Sequence, residues 1–337
     1  MTQMTQEMNA VYVTRIGGPE VLEPVRIARP EPQRGEVLVQ VTYAGVIFND
    51  IMTRTDFFRH AGDPERATPF ILGAEAVGRI EALGPDVTGV SIGQRVGIVM
   101  HDAKTYAEFA ALPVEQLIPL PDELEDQSVA ATLVAGLMAD MLLTDFGQVL
   151  AGSSVLVTGS TGGSGSILTQ WASARGAHVI ATVSSPAKAD LARKHGAAHV
   201  IDLSSQKLVE EVRRITDGRG VPLALDAVGG EVFAPAFEAL GTRGTIVPYG
   251  IAGGKPSPFD LLSLVDRSRT VAGLMFFDFV ASRPELLRRA EALFTALRNG
   301  WVRPDIAEVF PLKDAAKAHA RFEDQARTGK VLIAMNA

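Results

Sequence analysis

A glycine-rich segment contains the residue types that point most clearly to chemistry. It follows the apolar run of residues 155–158 and precedes a segment with helical character. Glycines let a backbone approach a phosphate without an intervening Cβ, and amide groups at a helix start attract anions. The pattern therefore predicts a dinucleotide site, the alternative being a tight turn that binds nothing. The residues predicted to form it are Gly159, Ser160, Thr161, Gly162, Gly163, Ser164 and Gly165.

The glycine spacing fits two classes of nucleotide-binding enzyme. Gly159, Gly162 and Gly165 form a GxxGxxG pattern, with Ser160 at the place of the first glycine in the stricter GxGxxG pattern. The segment also matches the Thr-Gly-x-x-x-Gly-x-Gly turn of short-chain dehydrogenases. Against that class, a long segment precedes the turn, and none of the 4 tyrosines is followed by lysine at the fourth position.

The end of the following apolar run predicts the preferred coenzyme. Enzymes that select NAD place a carboxylate about 20 residues past the turn, where it binds the ribose 2′-hydroxyl. This chain has Ser184, Ser185 and Lys188 there, and no carboxylate before Asp190. Hydroxyls and a lysine can bind a 2′-phosphate, which a carboxylate would repel. We therefore predict NADPH; the alternative is that Lys188 is a solvated surface residue.

The elements that must position these residues are of two kinds. Up to about residue 120, β-branched runs are broken by Gly and Pro, which predicts an antiparallel, barrel-like domain. Residues 127–143 carry apolar residues at every fourth position and predict a buried helix. From residue 152 onward strands alternate with helices, which predicts a parallel sheet. The tail, residues 282–337, is predicted to return to the first domain.

This order of domains resembles the medium-chain dehydrogenase/reductase superfamily, and within it the zinc-independent quinone oxidoreductase, or zeta-crystallin-like, group. The resemblance covers residues 10–334. Its markers are Gly45-Val46, Asp50 with Arg54, Gly73-Ala-Glu75-Ala-Val-Gly78, Gly93-Gln-Arg-Val96, Tyr106-Ala-Glu108, the glycine turn, Asp226-Ala-Val-Gly229 and Thr328-Gly-Lys-Val331. It implies an α/β protein: a GroES-like β-barrel catalytic domain (residues 10–130 and 270–337) and a Rossmann doubly wound parallel-sheet domain that binds NADPH (residues 131–269).

The sequence departs from the zinc-dependent branch of that superfamily. Ile47 stands where that branch has a cysteine ligand, and Ala74 stands where it has a histidine. The chain contains 0 cysteines, so a four-cysteine structural zinc site is impossible. His195 and His199 have a spacing that would suit a metal on a helix, but Gly196 is expected to end the helix between them. We predict no metal.

The resemblance also implies which residues form the active site, in a cleft between the domains. Asp50 and Arg54 are candidate catalytic residues, the alternative being a buried pair that ties a loop together. Tyr106 is the remaining candidate donor, although packing would also explain it. Predicted substrate-pocket residues are Ile47, Phe48, Asn49, Met52, Phe58 and Met138. Predicted coenzyme contacts beyond the glycine turn and residues 184–188 are Val228, Tyr249, Gly250, Phe276 and Lys330.

The pocket is expected to be apolar, because Ile47, Met52 and Phe58 replace hydrogen-bonding residues common in the family. Residues 56–66 form a longer loop than usual, which either selects the substrate or is a tolerated insertion. With no cysteine, metal or catalytic triad, direct hydride transfer to a quinone is the predicted reaction. Reduction of an alkene conjugated to a carbonyl is the alternative, and a non-catalytic nucleotide-binding protein is a third possibility.

Composition limits the partners and the location. The net charge of −7 gives no basic surface for nucleic acid. No signal-peptide pattern occurs in residues 1–9, and the apolar stretch of residues 129–143 is interrupted by polar residues, so we expect a cytoplasmic protein with no membrane partner. Residues 271–277 are predicted to form an apolar edge strand. Because such an edge needs covering, we expect a homodimer.

Overall fold

A computed structural model describes residues 6–60, 63, 64, 66–147 and 149–335. The chain divides into two compact units. The first consists of Met1–Val134 and Asp305–Ala337, and the second of Ala135–Pro304. The prediction that residues 1–9 form no signal peptide falls partly on residues 1–5, which lie outside the described residues.

The first unit is built mainly from antiparallel strands. Its elements are β1 (Glu7–Val13), β2 (Leu22–Ala28), β3 (Glu36–Gly45), α1 (Phe48–Arg54), β4 (Phe70–Ile71), β5 (Glu75–Leu83), β6 (Arg95–Val99), β7 (Phe109–Pro113), β8 (Leu117–Pro119) and the start of α2 (Asp126–Thr144). The described residues form a three-stranded sheet, β2-β1-β4, and a larger one in which β3 pairs with both β5 and β7. Their apolar faces enclose one core, which includes Val37, Val39, Ile80 and Ile98. This is the predicted GroES-like barrel.

The second unit is a parallel sheet with helices between its strands. Its elements are β9 (Ser154–Val157), α3 (Gly163–Ala174), β10 (His178–Val183), α4 (Ala189–Lys194), β11 (His199–Asp202), α5 (Leu208–Ile215), β12 (Val221–Asp226), α6 (Gly230–Glu238), β13 (Leu240–Pro248), β14 (Thr270–Val271) and α7 (Arg283–Arg298). Among the described residues the strand order is β11-β10-β9-β12-β13-β14. This is the doubly wound Rossmann order, in which the order reverses beside β9 and so opens a crevice at the carboxyl ends of the strands.

The chain returns to the first unit later than predicted. The returning elements are β15 (Ile306–Pro311), α8 (Ala315–Glu323) and β16 (Lys330–Ala334). The element pattern puts this return at residue 282 and the resemblance puts it at residue 270, but the first unit resumes at Asp305. The reason is that β14 pairs in parallel with β13, and the side chain of Leu293 on α7 fills the space beside Gly136, so both elements pack within the second unit.

The predicted edge strand of residues 271–277 is also wrong in extent. Only Thr270–Val271 pairs with β13, and Phe276–Val280 forms a 3-10 helix. Two small residues, Ala272 and Gly273, follow the strand, and Met275 is exposed. The buried apolar residues Phe276 and Val280 belong to the 3-10 helix. The edge of the described sheet is therefore a two-residue strand.

Helix α2 is long and apolar enough to cross a membrane, and is the one such helix in the described part of the chain. Of the most apolar 18-residue stretch of this helix, 78% is buried inside the protein. Its Asp140 is buried and lies 3.0 Å from Nη1 of Arg289, which is equally buried. These features are those of a core helix.

Candidate active site

The glycine turn joins β9 to α3 with a backbone that only glycine accommodates easily. Gly159 has φ +61°, and its carbonyl oxygen accepts a hydrogen bond from the amide of Gly162 at 3.0 Å. A Cβ at Gly165 would collide with that same carbonyl. The helix can therefore begin close against the turn. Gly162, Gly163 and Ser164 remain partly exposed there, at the amino end of α3.

Ser160 faces the sheet. Its hydroxyl and its amide both donate to the carbonyl oxygen of Thr182, at 2.9 and 3.3 Å. Both donors are therefore used in fastening the turn to β10. Thr161 is buried as well.

Asp226, at the end of β12, organises the neighbouring loop. Its carboxylate accepts hydrogen bonds from Thr158 Oγ1 at 2.5 Å and from the amides of Val228 and Gly229 at 3.0 and 3.1 Å. Burial raises the pKa of this carboxyl, although the three hydrogen bonds oppose the shift. We did not include Asp226 among the predicted site residues. Its position in the Asp226-Ala-Val-Gly229 motif was the available signal.

The predicted coenzyme residues on β10 and β13 lie at the carboxyl ends of these strands. Lys188 Nζ donates to Ser184 Oγ at 3.2 Å, and Ser184 is exposed. The amides of Tyr249 and Gly250 donate to the carbonyl of Asp226 at 2.9 and 3.3 Å. In the second unit, the glycine turn and residues at three other strand ends therefore lie together at the carboxyl-terminal edge of the sheet.

Tyr249 adds a polar atom to that edge. Its hydroxyl oxygen is buried and has no hydrogen-bond partner among the described residues. Burial raises the pKa of this tyrosine, and the nearby Asp226 adds to the rise. A buried hydroxyl without a partner is costly and is suited to receiving a ligand atom. Of the other predicted residues in this unit, Phe276 is buried and Met138 is half-buried.

In the first unit, a chain of hydrogen bonds connects the predicted catalytic residues. Tyr106 Oη lies 3.2 Å from Oδ2 of Asp50 and 3.0 Å from Nε2 of His319. His319 Nδ1 lies 2.9 Å from Nη1 of Arg54. All four side chains are at most 1% exposed.

Asp50 and Arg54 do not form the direct buried pair that was the alternative to a catalytic role. Among the described residues, the guanidinium of Arg54 instead contacts His319, the carbonyl of Gly17 at 3.0 Å and Glu323 Oε1 at 2.7 Å. Helix α8 supplies both His319 and Glu323, and the direct ion pair forms with Glu323. Tyr106 and His319 therefore lie between Asp50 and Arg54.

Burial also sets the ionisation of this network. It raises the pKa of Asp50 to about 7 and lowers that of His319 to about 3, with Arg54 adding to the second shift. It raises the pKa of Tyr106 as well, and Asp50 adds to that rise. At neutral pH the histidine and the tyrosine are therefore uncharged, and Asp50 is close to half-protonated.

Lys330 lies in the first unit beside Glu75. Both side chains are buried, and Lys330 Nζ forms an ion pair with Oε2 of Glu75. Glu75 Oε1 accepts a hydrogen bond from the amide of Val134 at 2.6 Å. This buried pair gives Lys330 a structural partner, in addition to the coenzyme contact that the resemblance implied.

Helix α1 carries half of the predicted pocket residues. Ile47, immediately before the helix, is buried, whereas Phe48, Asn49 and Met52 are half-buried. Phe58 is 60% exposed and lies beyond the helix. The loop of residues 56–66 is described only in part, because residues 61, 62 and 65 lie outside the described residues.

The residue types of the site do not suit zinc. Ile47 and Ala74 offer apolar side chains at the two ligand positions named above. No group of three or more His, Cys, Asp or Glu side chains able to hold a metal occurs within residues 6–335 as far as they are described.

Sequence reasoning missed His319 and Glu323. His319 lies on the buried face of α8 with Ala315 and Ala318, a position that suggests core packing alone. The signal was a histidine at an apolar position and an acidic residue four positions later, on the same face of a helix. Such a pattern does not reveal that Arg54, from a distant segment, would come between them.

Comparison with known proteins agrees with both units. Residues 33–122 match the alcohol dehydrogenase GroES-like domain, and residues 163–292 match the zinc-binding dehydrogenase family. A quinone oxidoreductase of Pseudomonas aeruginosa is 33% identical, over 94% of this chain and 96% of its own. A 2-haloacrylate reductase of a Burkholderia species is 32% identical, over 96% of this chain and 98% of its own.

A solved structure gives the same result. The Escherichia coli quinone oxidoreductase complexed with NADPH has a TM-score of 0.90 with this chain, at 28% identity, covering 97% of this chain and 99% of that one. The barrel, the Rossmann strand order and the identity to these relatives lead to one conclusion. This chain belongs to the quinone oxidoreductase group of the medium-chain dehydrogenase/reductase superfamily.

Proposed function

We propose that this protein is an NADPH-dependent oxidoreductase that reduces quinones without a metal. One observation carries the proposal: the partly exposed glycine turn lies at the same sheet edge as Ser184 and Lys188. This combination fits a dinucleotide with a 2′-phosphate. The quinone oxidoreductases among the relatives, and the NADPH in the Escherichia coli structure, support the assignment.

The proposed coenzyme site uses backbone at the turn and side chains at the next strand end. The amides of residues 162–164 would bind the pyrophosphate, because they lie at the amino end of α3. Ser184, Ser185 and Lys188 would bind the 2′-phosphate. Residues near Val228, Tyr249 and Gly250 would contact the ribose and nicotinamide, and the buried Tyr249 hydroxyl offers a donor. When bound, NADPH supplies the hydride.

On the substrate side, the chain's residues would mainly exclude water and orient the acceptor. Phe48 and Met52, half-buried and one turn apart on α1, give this helix an apolar surface, and the buried Ile47 precedes it. A quinone needs little activation, because the charge left after hydride addition is a stabilised phenolate. Asp50 and Tyr106 provide oxygen atoms from which a proton can be supplied.

Reduction of an activated alkene is the second candidate. It is favoured by the similarity to the 2-haloacrylate reductase, and by the apolar side chains of Ile47 and Met52. The two reactions share the coenzyme and the hydride, and they differ in the atom that is protonated.

A panel of acceptors tests both candidates. NADPH oxidation would be followed with quinones, enals and enoyl thioesters, and the acceptors ranked by kcat/KM, with and without a chelator. We expect turnover with quinones that the chelator does not change. Tight NADPH binding with no turnover of any acceptor would indicate a nucleotide-binding protein that is not an enzyme. Loss of activity on chelation would refute the metal-free reaction.

We also propose that the protein acts as a cytoplasmic homodimer with no nucleic-acid or membrane partner. Leu261, Leu262, Val265 and Met275 are each more than half exposed, close in sequence to the edge strand β14. Light scattering should give about twice the mass of 35.9 kDa. Leu262→Asp should reduce the measured mass, whereas the matched change at another exposed leucine, Leu150→Asp, should leave the mass unchanged.

A further inference from the structure

The two oxygen atoms of the Asp50 carboxyl have different partners. Oδ2 accepts hydrogen bonds from the amide of Ile47 at 2.9 Å and from the hydroxyl of Tyr106 at 3.2 Å. Oδ1 is buried and has no hydrogen-bond partner among the residues that the structure describes. A buried polar atom without a partner requires an explanation, and a role in proton transfer is one such explanation.

Arg54 determines the direction of every hydrogen bond in this network. A guanidinium only donates, so Nη1 donates to Nδ1 of His319. Because His319 is neutral, its hydrogen is on Nε2, which donates to Oη of Tyr106. The single hydroxyl hydrogen of Tyr106 then remains for Oδ2 of Asp50. This arrangement satisfies all three contacts.

We propose that Asp50 is the proton donor of the reaction, with its proton on Oδ1, and that His319 is the positioning residue that directs Tyr106 onto Oδ2. The proton is on Oδ1 because Oδ2 already accepts two hydrogen bonds. The inference deepens the proposed function and rests on it, since it names the proton source for the reduced acceptor.

The surroundings of Asp50 keep it protonated close to neutral pH. Burial is the largest effect and raises the pKa of the carboxyl to about 7. The hydrogen bond from Ile47, the charge of Lys330 on β16 and the hydrogen bond from Tyr106 lower the pKa, while Glu75 on β5 raises it. A donor of this pKa is suited to a reaction at neutral pH.

The step balances in atoms and electrons. The quinone takes a hydride from NADPH and is reduced, leaving NADP⁺. The O–H bond of Asp50 breaks and an O–H bond forms on the hydroquinone, after which the carboxylate regains a proton from water. Because Oδ1 is buried, we include in the proposal one bridging water that carries the proton from Oδ1 to the acceptor.

Kinetic measurements on four variants test the assignment. In the wild type, kcat with a quinone should fall as the pH rises through about 7. Asp50→Asn should lower kcat at least about tenfold and abolish this pH dependence. The expected loss is smaller than is usual for acid catalysis, because water also protonates phenolates. His319→Leu removes the donor to Tyr106 and should move the midpoint upward by roughly one pH unit. His319→Gln keeps a hydrogen-bond acceptor and a donor, so its midpoint should return to the wild-type pH. His199→Gln, at an exposed histidine, is the matched control and should leave the profile unchanged.

Infrared spectroscopy provides a readout that does not depend on turnover. The difference spectrum between the wild type and Asp50→Asn at pH 6 should contain the C=O stretch of a protonated carboxyl. The band should shift in His319→Leu and not in His319→Gln.

An active enzyme with a pH profile that Asp50→Asn leaves unchanged would overturn the donor assignment, and His319→Leu matching the wild type in both measurements would overturn the positioning role. A wild type that binds NADPH but reduces no acceptor would instead refute the proposed function, whatever the band shows.

Discussion

Tyr106 and His319 are 213 positions apart in the sequence, yet Oη of Tyr106 lies 3.0 Å from Nε2 of His319. Their rings meet edge to face, with centroids 5.6 Å apart. The contact fastens helix α8 to the segment before β7, and it connects Arg54 to Asp50 without a direct ion pair. The geometry of the candidate donor therefore depends on a helix near the end of the chain.

Coenzyme preference tests the role of Lys188. We expect kcat/KM for NADPH to exceed that for NADH by at least about tenfold, roughly 1.4 kcal/mol, because Lys188 and two serines would bind the 2′-phosphate. Lys188→Ala should remove much of this difference, whereas Lys194→Ala, at an exposed lysine of the next helix, should not. Equal use of both coenzymes by the wild type would contradict the 2′-phosphate site.

The stability of the fold should depend on pH through Asp50. The pKa of this carboxyl is about 7 in the folded protein and 3.8 when unperturbed, so between these values the folded state keeps a proton that the unfolded chain has lost. The preference of the folded state for the neutral carboxyl stabilises the fold fully below about pH 4. This stabilisation is lost as the pH rises to about 7. From pH 5 to pH 8, the wild type should lose about 3 kcal/mol of unfolding free energy relative to Asp50→Asn. Urea denaturation of both proteins at both pH values measures this change. If the unfolding free energy of the wild type relative to Asp50→Asn stayed constant or rose from pH 5 to pH 8, Asp50 would be ionised throughout.

The glycine turn should not tolerate a side chain at Gly165. A Cβ there would collide with the carbonyl of Gly159, so Gly165→Ala must move the turn away from α3. We expect NADPH binding, followed by fluorescence titration, to weaken by at least about tenfold, since a small displacement removes several amide contacts. Gly273→Ala is the control, because its Cβ would meet no atom within 4 Å. Unchanged affinity in Gly165→Ala would place the coenzyme elsewhere.

The buried Glu75–Lys330 pair should behave as a coupled unit. Breaking it by Glu75→Gln or Lys330→Met should cost about 3–5 kcal/mol of unfolding free energy, because one buried charge loses its partner. The double variant should lose clearly less than the sum of the two, which a double-mutant cycle in urea would measure. Additive losses would mean that the two charges do not interact. The NADPH affinity of Lys330→Met, where that variant folds, decides whether Lys330 also contacts the coenzyme.

The second unit was largely predictable because its signals are local. The run of residues 155–158, the glycine turn and the helix that follows act within a few residues of one another, so their order alone indicates β9, the turn and α3. The alternation of strands and helices then restricts the sheet to a parallel one. The edge strand was overestimated because apolar character was taken for strand character, whereas Phe276 and Val280 are buried in a 3-10 helix.

The sequence alone determined the fold class, the glycine turn and the lack of cysteine ligands, because each depends on residue type and short-range spacing. Only the tertiary structure decided that Arg54 contacts His319 and Glu323, that Tyr106 lies between His319 and Asp50, and that Lys330 pairs with Glu75. These contacts join segments far apart in the chain, and their partners are selected by how β16 and α8 pack on the barrel. No periodicity or motif encodes that packing, and the pKa of Asp50 follows from it.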